Sequence, residues 1–224
     1  MISLLFIAGL MAAFSCPATA DQLEIKEADQ TSSDRRRNLY VTAGAGANWP
    51  IDRVGTGDAG SFTEFSNPGF STEIGLGYNF KPLRLELTYA LDATNLRGYD
   101  SVSGQYFKYT QGGETRKNSA FASLYWDLLP NKRLSPYVGA GIGLSVLNVD
   151  TFSEPGYQYD GYSRSLLGYQ AKLGISYAMN PRSKAFIEAV YRGTSGYNTF
   201  DGYNDWSNPS FSSWGTQLGL RIGL

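Results

Sequence analysis

Eight stretches of this chain alternate apolar residues with small or polar ones, and that period of two constrains the fold more than any other feature. In residues 39–49 the odd positions read Leu39, Val41, Ala43, Ala45, Ala47, Trp49, and the even positions read Tyr40, Thr42, Gly44, Gly46, Asn48. Successive side chains on a strand point to opposite faces, so each stretch has one greasy face and one polar or bare face. If the greasy face looks outward, the solvent it meets is lipid.

The other seven stretches are residues 70–80, 83–92, 120–128, 137–146, 169–177, 185–192 and 213–224. Phe186 and Val190 blur the alternation of the seventh. The connections alternate long and short: roughly 20 residues after the first stretch, about two after the second, about 25 after the third. The short ones carry turn residues, Lys81-Pro82, Pro130-Asn131 and Asn180-Pro181. Transmembrane barrels have this rhythm, with short periplasmic turns and long outer loops.

A soluble lipocalin-like barrel would keep the grease inside, and an outer-membrane barrel keeps it outside. Three observations favour the membrane. First, the aromatics on the greasy face sort by height when the strands run alternately up and down. The upper ends carry Trp49, Phe70, Tyr89, Tyr169, Tyr191 and Trp214, the lower ends Tyr78, Phe80, Trp126 and Tyr177, and aliphatic residues lie between. Two lipid–water interfaces require two such girdles. Second, charge on the opposite face balances, with Glu73, Glu86, Asp127 and Glu188 against Arg84, Lys172, Arg192 and Arg221. Asp92 is placed at a rim and left out of this set. Balance suits a narrow, internally paired lumen, because an unpaired charge there is costly. Third, the polar face collects glycines, among them Gly44, Gly46, Gly75, Gly77, Gly139, Gly141, Gly143, Gly174, Gly215, Gly219 and Gly223. Glycine weakens strands, so it needs a reason, and room for large charged side chains in a narrow interior supplies one. Gly139-x-Gly141-x-Gly143 lacks the spacing of a nucleotide loop and sits in mid-strand.

The expected fold is therefore all-β, an eight-stranded antiparallel up-and-down transmembrane β-barrel over residues 38–224. Residues 1–20 read as a secretory signal peptide, with an apolar core from Ile2 to Phe14 and a small-x-small site at Ala18-Thr19-Ala20. Residues 21–37, charged and poor in aromatics, read as a disordered periplasmic lead-in. The single cysteine, Cys16, falls in the signal peptide, so the mature chain is expected to lack disulfides. No 18-residue apolar run follows the N-terminal segment, which excludes a bundle of membrane helices. A formal net charge of −1 gives no reason to expect nucleic acid as a partner.

Residues 135–146 (SPYVGAGIGLSV), 169–181 (YQAKLGISYAMNP) and 184–192 (KAFIEAVYR) resemble strands five to seven of the small OmpA/OmpX-like, opacity-protein-like outer-membrane β-barrels. The resemblance runs from about residue 39 to residue 224. It implies location in the bacterial outer membrane and contact with its lipid and lipopolysaccharide. It also implies insertion by the barrel-assembly machinery, which in this family reads a terminal Phe or Trp where this chain has Leu224. The family includes structural proteins, adhesins and immune-evasion factors, so a host or surface ligand is a further expectation.

Enzymes built on barrels of this size, such as lipid A deacylases, palmitoyltransferases and outer-membrane proteases, use histidine as a general base, and this chain has none. With neither histidine nor mature cysteine, no metal or other cofactor is expected. The four lumen carboxylates read as members of a salt-bridge network. A narrow ion or small-solute channel is the alternative, opened if Glu73–Arg221 or a similar pair broke. The third reading is binding through the long connections. These carry Tyr99, Tyr106, Phe107 and Tyr109, then Tyr157, Tyr159 and Tyr162, then Tyr197, Phe200, Tyr203 and Trp206. Tyrosine and tryptophan supply contact area at little entropic cost. The strongest binding candidates are Tyr106, Tyr157, Tyr159, Tyr162, Tyr203 and Trp206.

Overall fold

The computed structural model describes residues 38–58, 60–200, 205–208 and 210–224, with the backbone alone at 199 and 200. The expected signal peptide and lead-in lie outside the described residues, as does Tyr203. The wall consists of eight strands: β1 (Leu39–Pro50), β2 (Gly60–Asn79), β3 (Leu83–Asp100), β4 (Glu114–Asp127), β5 (Leu134–Val149), β6 (Tyr162–Ala178), β7 (Ser183–Thr194) and β8 (Ser213–Gly223). Each pairs antiparallel with its neighbours in sequence, and β1 pairs with β8 to close the ring. Closure leaves no unpaired edge in the wall, which a sheet in hydrocarbon must achieve.

The register fixes the shape. Following paired residues once around the ring, Tyr40 leads through Gly77, Glu86, Ser123, Gly141, Gln170, Arg192 and Ser213 back to Pro50, a stagger of ten residues on β1. Ten residues at about 3.3 Å each, set against eight strand spacings of about 4.8 Å, tilt the strands by about 40°.

One end carries the short turns at residues 80–82, 128–133 and 179–182, and the other the long connections. The connections are shorter as loops than the sequence rhythm implies. β2 runs 20 residues and β3 18, each well beyond its alternating stretch. Short strands add to them: Arg53–Gly57 pairs with the upper part of β2, Tyr106–Lys108 with β3, and Phe152–Glu154 with Tyr157–Tyr159. The wall therefore continues past the upper girdle.

Outside, the aliphatic belt is bare. Ile74, Leu87, Ile142, Leu144 and Leu218 are each more than 60 % exposed. So broad an apolar surface cannot face water. At the upper rim Trp49, Phe70, Tyr89, Tyr169 and Trp214 are exposed, and Tyr191 is half-buried with its ring centroid 4.8 Å from that of Trp214. At the lower rim Tyr78, Phe80, Trp126 and Tyr177 are exposed. The Arg133 guanidinium lies 4.8 Å over the Tyr177 ring, a cation held at headgroup level.

Inside, the glycines make room for rings rather than for charged side chains. Tyr40 pairs with Gly77, Tyr125 with Gly139, Tyr137 with Gly174 and Phe186 with Gly219. A Cβ on any of these glycines would stand 2.2–2.5 Å from the partner's ring. Each ring thus folds flat over a neighbour that has no side chain. Phe186 and Val190, which blur the seventh stretch, are inward and buried with Phe121.

Candidate functional site

The inward positions of β1–β8 bring the charged residues into one continuous network. At the turn end, Arg84 Nε donates to Asp127 Oδ1 at 2.9 Å, and Arg84 Nη1 donates to Glu86 Oε1 at 2.5 Å. The Tyr40 hydroxyl donates to the same Glu86 oxygen at 2.5 Å. Arg221 stands 3.6 Å from Glu86, with its guanidinium 4.5 Å over both Tyr137 and Phe186. In the middle, Lys172 Nζ bridges Glu73 at 2.5 Å and Glu188 at 2.9 Å, and the Tyr137 hydroxyl donates to Glu188 at 2.7 Å. Arg192 joins Glu73 at 2.5 Å to Asp92 at 2.9 Å.

Two corrections to the sequence reading follow. Asp92 is not at a rim; it is 3 % exposed, inside the lumen, and shared by Arg192 and Lys117, whose Nζ lies 3.4 Å away. Adding Asp92 and Lys117 extends the balanced set to five carboxylates and five cations among the described residues. The suggested Glu73–Arg221 pair does not form: Arg221 sits over Glu86, and Glu73 takes Lys172 and Arg192. Lys117 lay above the point where the fourth alternating stretch began, although its odd number already placed it on the inward face.

Above this network the interior turns apolar. Leu96, Leu147, Val149, Leu166, Tyr197 and Phe211 form a buried cluster with Phe152. On top of the cluster the loops enclose a cup of about 530 Å³. Four sequence candidates line it: Tyr157, Tyr159, Tyr162 and Trp206. Tyr106 does not; it is exposed and leans on Phe65, ring centroids 6.1 Å apart. Tyr99 and Tyr109, named in the same loops, also line the cup, as do Phe62 and Phe152, which the sequence reading left out.

Rings meet both edge-on and stacked around the cup, with Phe152 at 16° to Tyr159 and Tyr99 at 29° to Tyr109. Phe62 stands at 88° to both Trp206 and Tyr99, and Tyr157 at 64° to Tyr159. Three phenols point at carboxylates. Tyr109 donates to Glu64 at 3.2 Å, and Tyr159 and Tyr99 donate to Glu154 at 2.9 and 3.3 Å. Burial first, and the carboxylate beside it second, pushes the Tyr109 hydroxyl well above its ordinary pKa. Burial also leads the upward shifts of Tyr159 and Tyr99. All three phenols therefore stay protonated and keep donating. Arg53, beneath them, is engaged by Glu64 and by the Tyr197 hydroxyl.

Charge is sorted along the barrel. Beyond the upper girdle the described carboxylates are Asp52, Asp58, Glu64, Asp100, Glu114, Asp150, Glu154, Asp160 and Asp205, against Arg53, Arg97, Lys108, Arg116 and Arg164. At the turn end stand Lys81, Lys132, Arg133, Arg182 and Lys184, and among the described residues no Asp or Glu lies there outside the lumen.

Comparison with known proteins agrees with this architecture. Two uncharacterized proteins of Brucella abortus, from strain 2308 and from biovar 1 strain 9-941, are each 26 % identical over 189 residues, or 74 % of this chain. The chain spans 66 % of the length of these curated relatives. Among solved structures, Neisserial surface protein A matches with a TM-score of 0.53 at 21 % identity, over 83 % of this chain and 97 % of that one. OprG from Pseudomonas aeruginosa matches with a TM-score of 0.54 at 13 % identity, over 84 % and 97 %. At those identities the shared property is the fold. The family model described as outer membrane protein beta-barrel domain matches residues 6–221. The closed ring, the bare aliphatic belt and this match together make the chain a member of the outer membrane protein β-barrel family, seated in the bacterial outer membrane.

Proposed function

We propose that the chain is a non-catalytic barrel whose lumen is plugged by its own side chains and whose loops serve envelope structure or surface contact. The observation that carries this reading is the lumen network: five carboxylates and five cations, each 6 % exposed or less. An eight-stranded barrel has an interior that side chains just fill. Here Tyr40, Tyr125, Tyr137 and Phe186 occupy the space between the ion pairs. The apolar cluster around Leu147 lies across the path above them. The carboxylates that acid–base chemistry would need are held by Arg84, Lys172 and Arg192, and the chain has no histidine. The proposed partners are outer-membrane lipid and lipopolysaccharide at the wall, the assembly machinery during insertion, and a surface ligand at the loops. The test is conductance in planar bilayers. Refolded full chain is expected to give no sustained current steps, and steady porin-sized currents would overturn the plugged lumen.

A further inference from the structure

The chemistry of the loop cup is one-sided. Its volume, about 530 Å³, falls in the range of small-molecule sites. Eight of its fifteen lining residues are aromatic. Phe62 meets Tyr99 and Trp206 at 88° and Tyr157 meets Tyr159 at 64°, so the lining rings turn in several directions, while Phe152 stacks on Tyr159 and Tyr109 on Tyr99. Three of those rings, Tyr99, Tyr109 and Tyr159, have hydroxyls donated to carboxylates. A phenol that donates to a carboxylate gains electron density, and its ring face becomes more negative. Beside the rings stand Glu154 and Asp160; Glu64, whose carboxyl burial pushes up to about 7, is paired with Arg53, and the Arg164 guanidinium lies 5.7 Å over the Tyr162 ring. Arg53 is already committed to Glu64 and Tyr197, and its guanidinium lies 5.6 Å over the Tyr197 ring. The surrounding loop end, with nine described carboxylates to five cations, adds a field of the same sign.

We infer that this cup binds a small organic cation with an alkylated ammonium head. The inference rests on the surface-contact part of the function proposed above. Aromatic faces attract a large, weakly hydrated cation that can shed its water, and quaternary ammonium groups are the ligands for which aromatic cages are best suited. A small metal ion would need a converging set of oxygen ligands, and the described residues contain no cluster of three or more acidic, histidine or cysteine groups positioned to hold one. An anion would meet the carboxylates of Glu154 and Asp160, while the Arg53 guanidinium that lines the cup is already committed to Glu64 and Tyr197. A neutral sugar would stack on the rings but gain nothing from the charge.

The test uses the full chain refolded in a polyoxyethylene detergent, which carries neither sugar nor ammonium. Tryptophan fluorescence is followed during titration with choline chloride, tetramethylammonium chloride, sodium chloride and glucose at matched ionic strength. Both ammonium salts are expected to give a saturable change at or below the millimolar range, and sodium chloride and glucose none. Tyr157 and Asp160 are exposed, so changing them leaves the barrel intact. Tyr157→Leu is expected to weaken choline at least fivefold. Asp160→Lys, which sets a competing cation in the wall, is expected to weaken it at least tenfold. Tyr159→Phe keeps the ring, removes the bond to Glu154, and is expected to weaken choline severalfold. Saturation by glucose alone, the same choline response in Asp160→Lys, or silence in a barrel whose heat-dependent mobility shows it folded would each overturn the inference. The surface-contact reading fails separately, if deletion of Tyr157–Tyr159 leaves binding to cells and envelope material unchanged.

Discussion

At the scale of single residues, the lumen behaves as a protein core made of charge. Glu73 shows what each member contributes. Its two oxygens take Lys172 and Arg192, both at 2.5 Å, and all three side chains are at least 95 % buried. Removing one partner of such a pair strands the other charges in a low-dielectric interior, which costs about 3–5 kcal/mol. Glu73→Gln is therefore expected to lower the unfolding free energy in lipid vesicles by about that amount, read from urea titration. Glu73→Leu with Arg192→Met is expected to cost less than Glu73→Gln, because it removes charges from both sides. A loss of well under 1 kcal/mol for Glu73→Gln would mean that the network carries little. The eight charged candidates were legible in the sequence because alternation alone says which positions face inward. Asp92 was misplaced because the wall was taken to end at the girdle, whereas β3 continues to Asp100. The pairing of rings with glycines was not legible. It depends on register, and a sequence of alternating stretches does not say that Gly77 faces Tyr40.

At the scale of the strand, the most telling feature is a change of phase. Along β5 the apolar residues outside are Val138, Ile142, Leu144 and Val146, all even; from there upward they are Leu147 and Val149, odd and buried. The backbone alternation does not slip. What changes is the solvent: below the switch the outer face meets lipid and the lumen is polar, while above it the outer face meets water and the interior is apolar. The point where hydrophobicity moves from one face to the other thus marks the upper membrane boundary, and it was present in the sequence at Val146-Leu147. Scanning for one greasy face ended each stretch there and turned the upper wall into apparent loop. A charge scan tests the boundary. Leu218 is 65 % exposed on β8, midway between Trp214 and Ile222, near the middle of the belt. Val54 is 44 % exposed above Trp49. Leu218→Arg is expected to cost about 2–4 kcal/mol in vesicles and Val54→Arg about 0–1 kcal/mol. Equal costs would place the boundary elsewhere.

At the scale of the whole molecule, charge among the described residues runs in one direction: five cations and no Asp or Glu around the turns, a lumen network of five carboxylates and five cations, and an excess of carboxylates at the loop end. The two ends lie at different distances from the headgroups. The turns are as short as residues 80–82, which keeps Lys81, Lys132, Arg133 and Arg182 next to the lower girdle. The loop end rides on a wall that rises ten residues from Phe70 to Gly60, about 25 Å along strands tilted by about 40°. That exceeds the Debye length of about 8–10 Å near physiological salt, so most loop carboxylates are screened from the bilayer surface while the turn cations are not. Anionic phospholipid should therefore stabilise the folded barrel through the turn end, by up to about 1 kcal/mol per cation. Urea unfolding in vesicles with phosphatidylglycerol is expected to show a higher midpoint than in phosphatidylcholine alone. The gain is expected to shrink in 1 M salt, where the Debye length falls to about 3 Å. Replacing Lys81, Lys132, Arg133 and Arg182 by Gln should reduce the gain, and replacing Asp100, Asp150 and Asp160 by Asn should leave it in place. If the loop substitutions change the lipid dependence and the turn substitutions do not, the loop end, and not the turn end, is the part of the barrel that senses lipid charge.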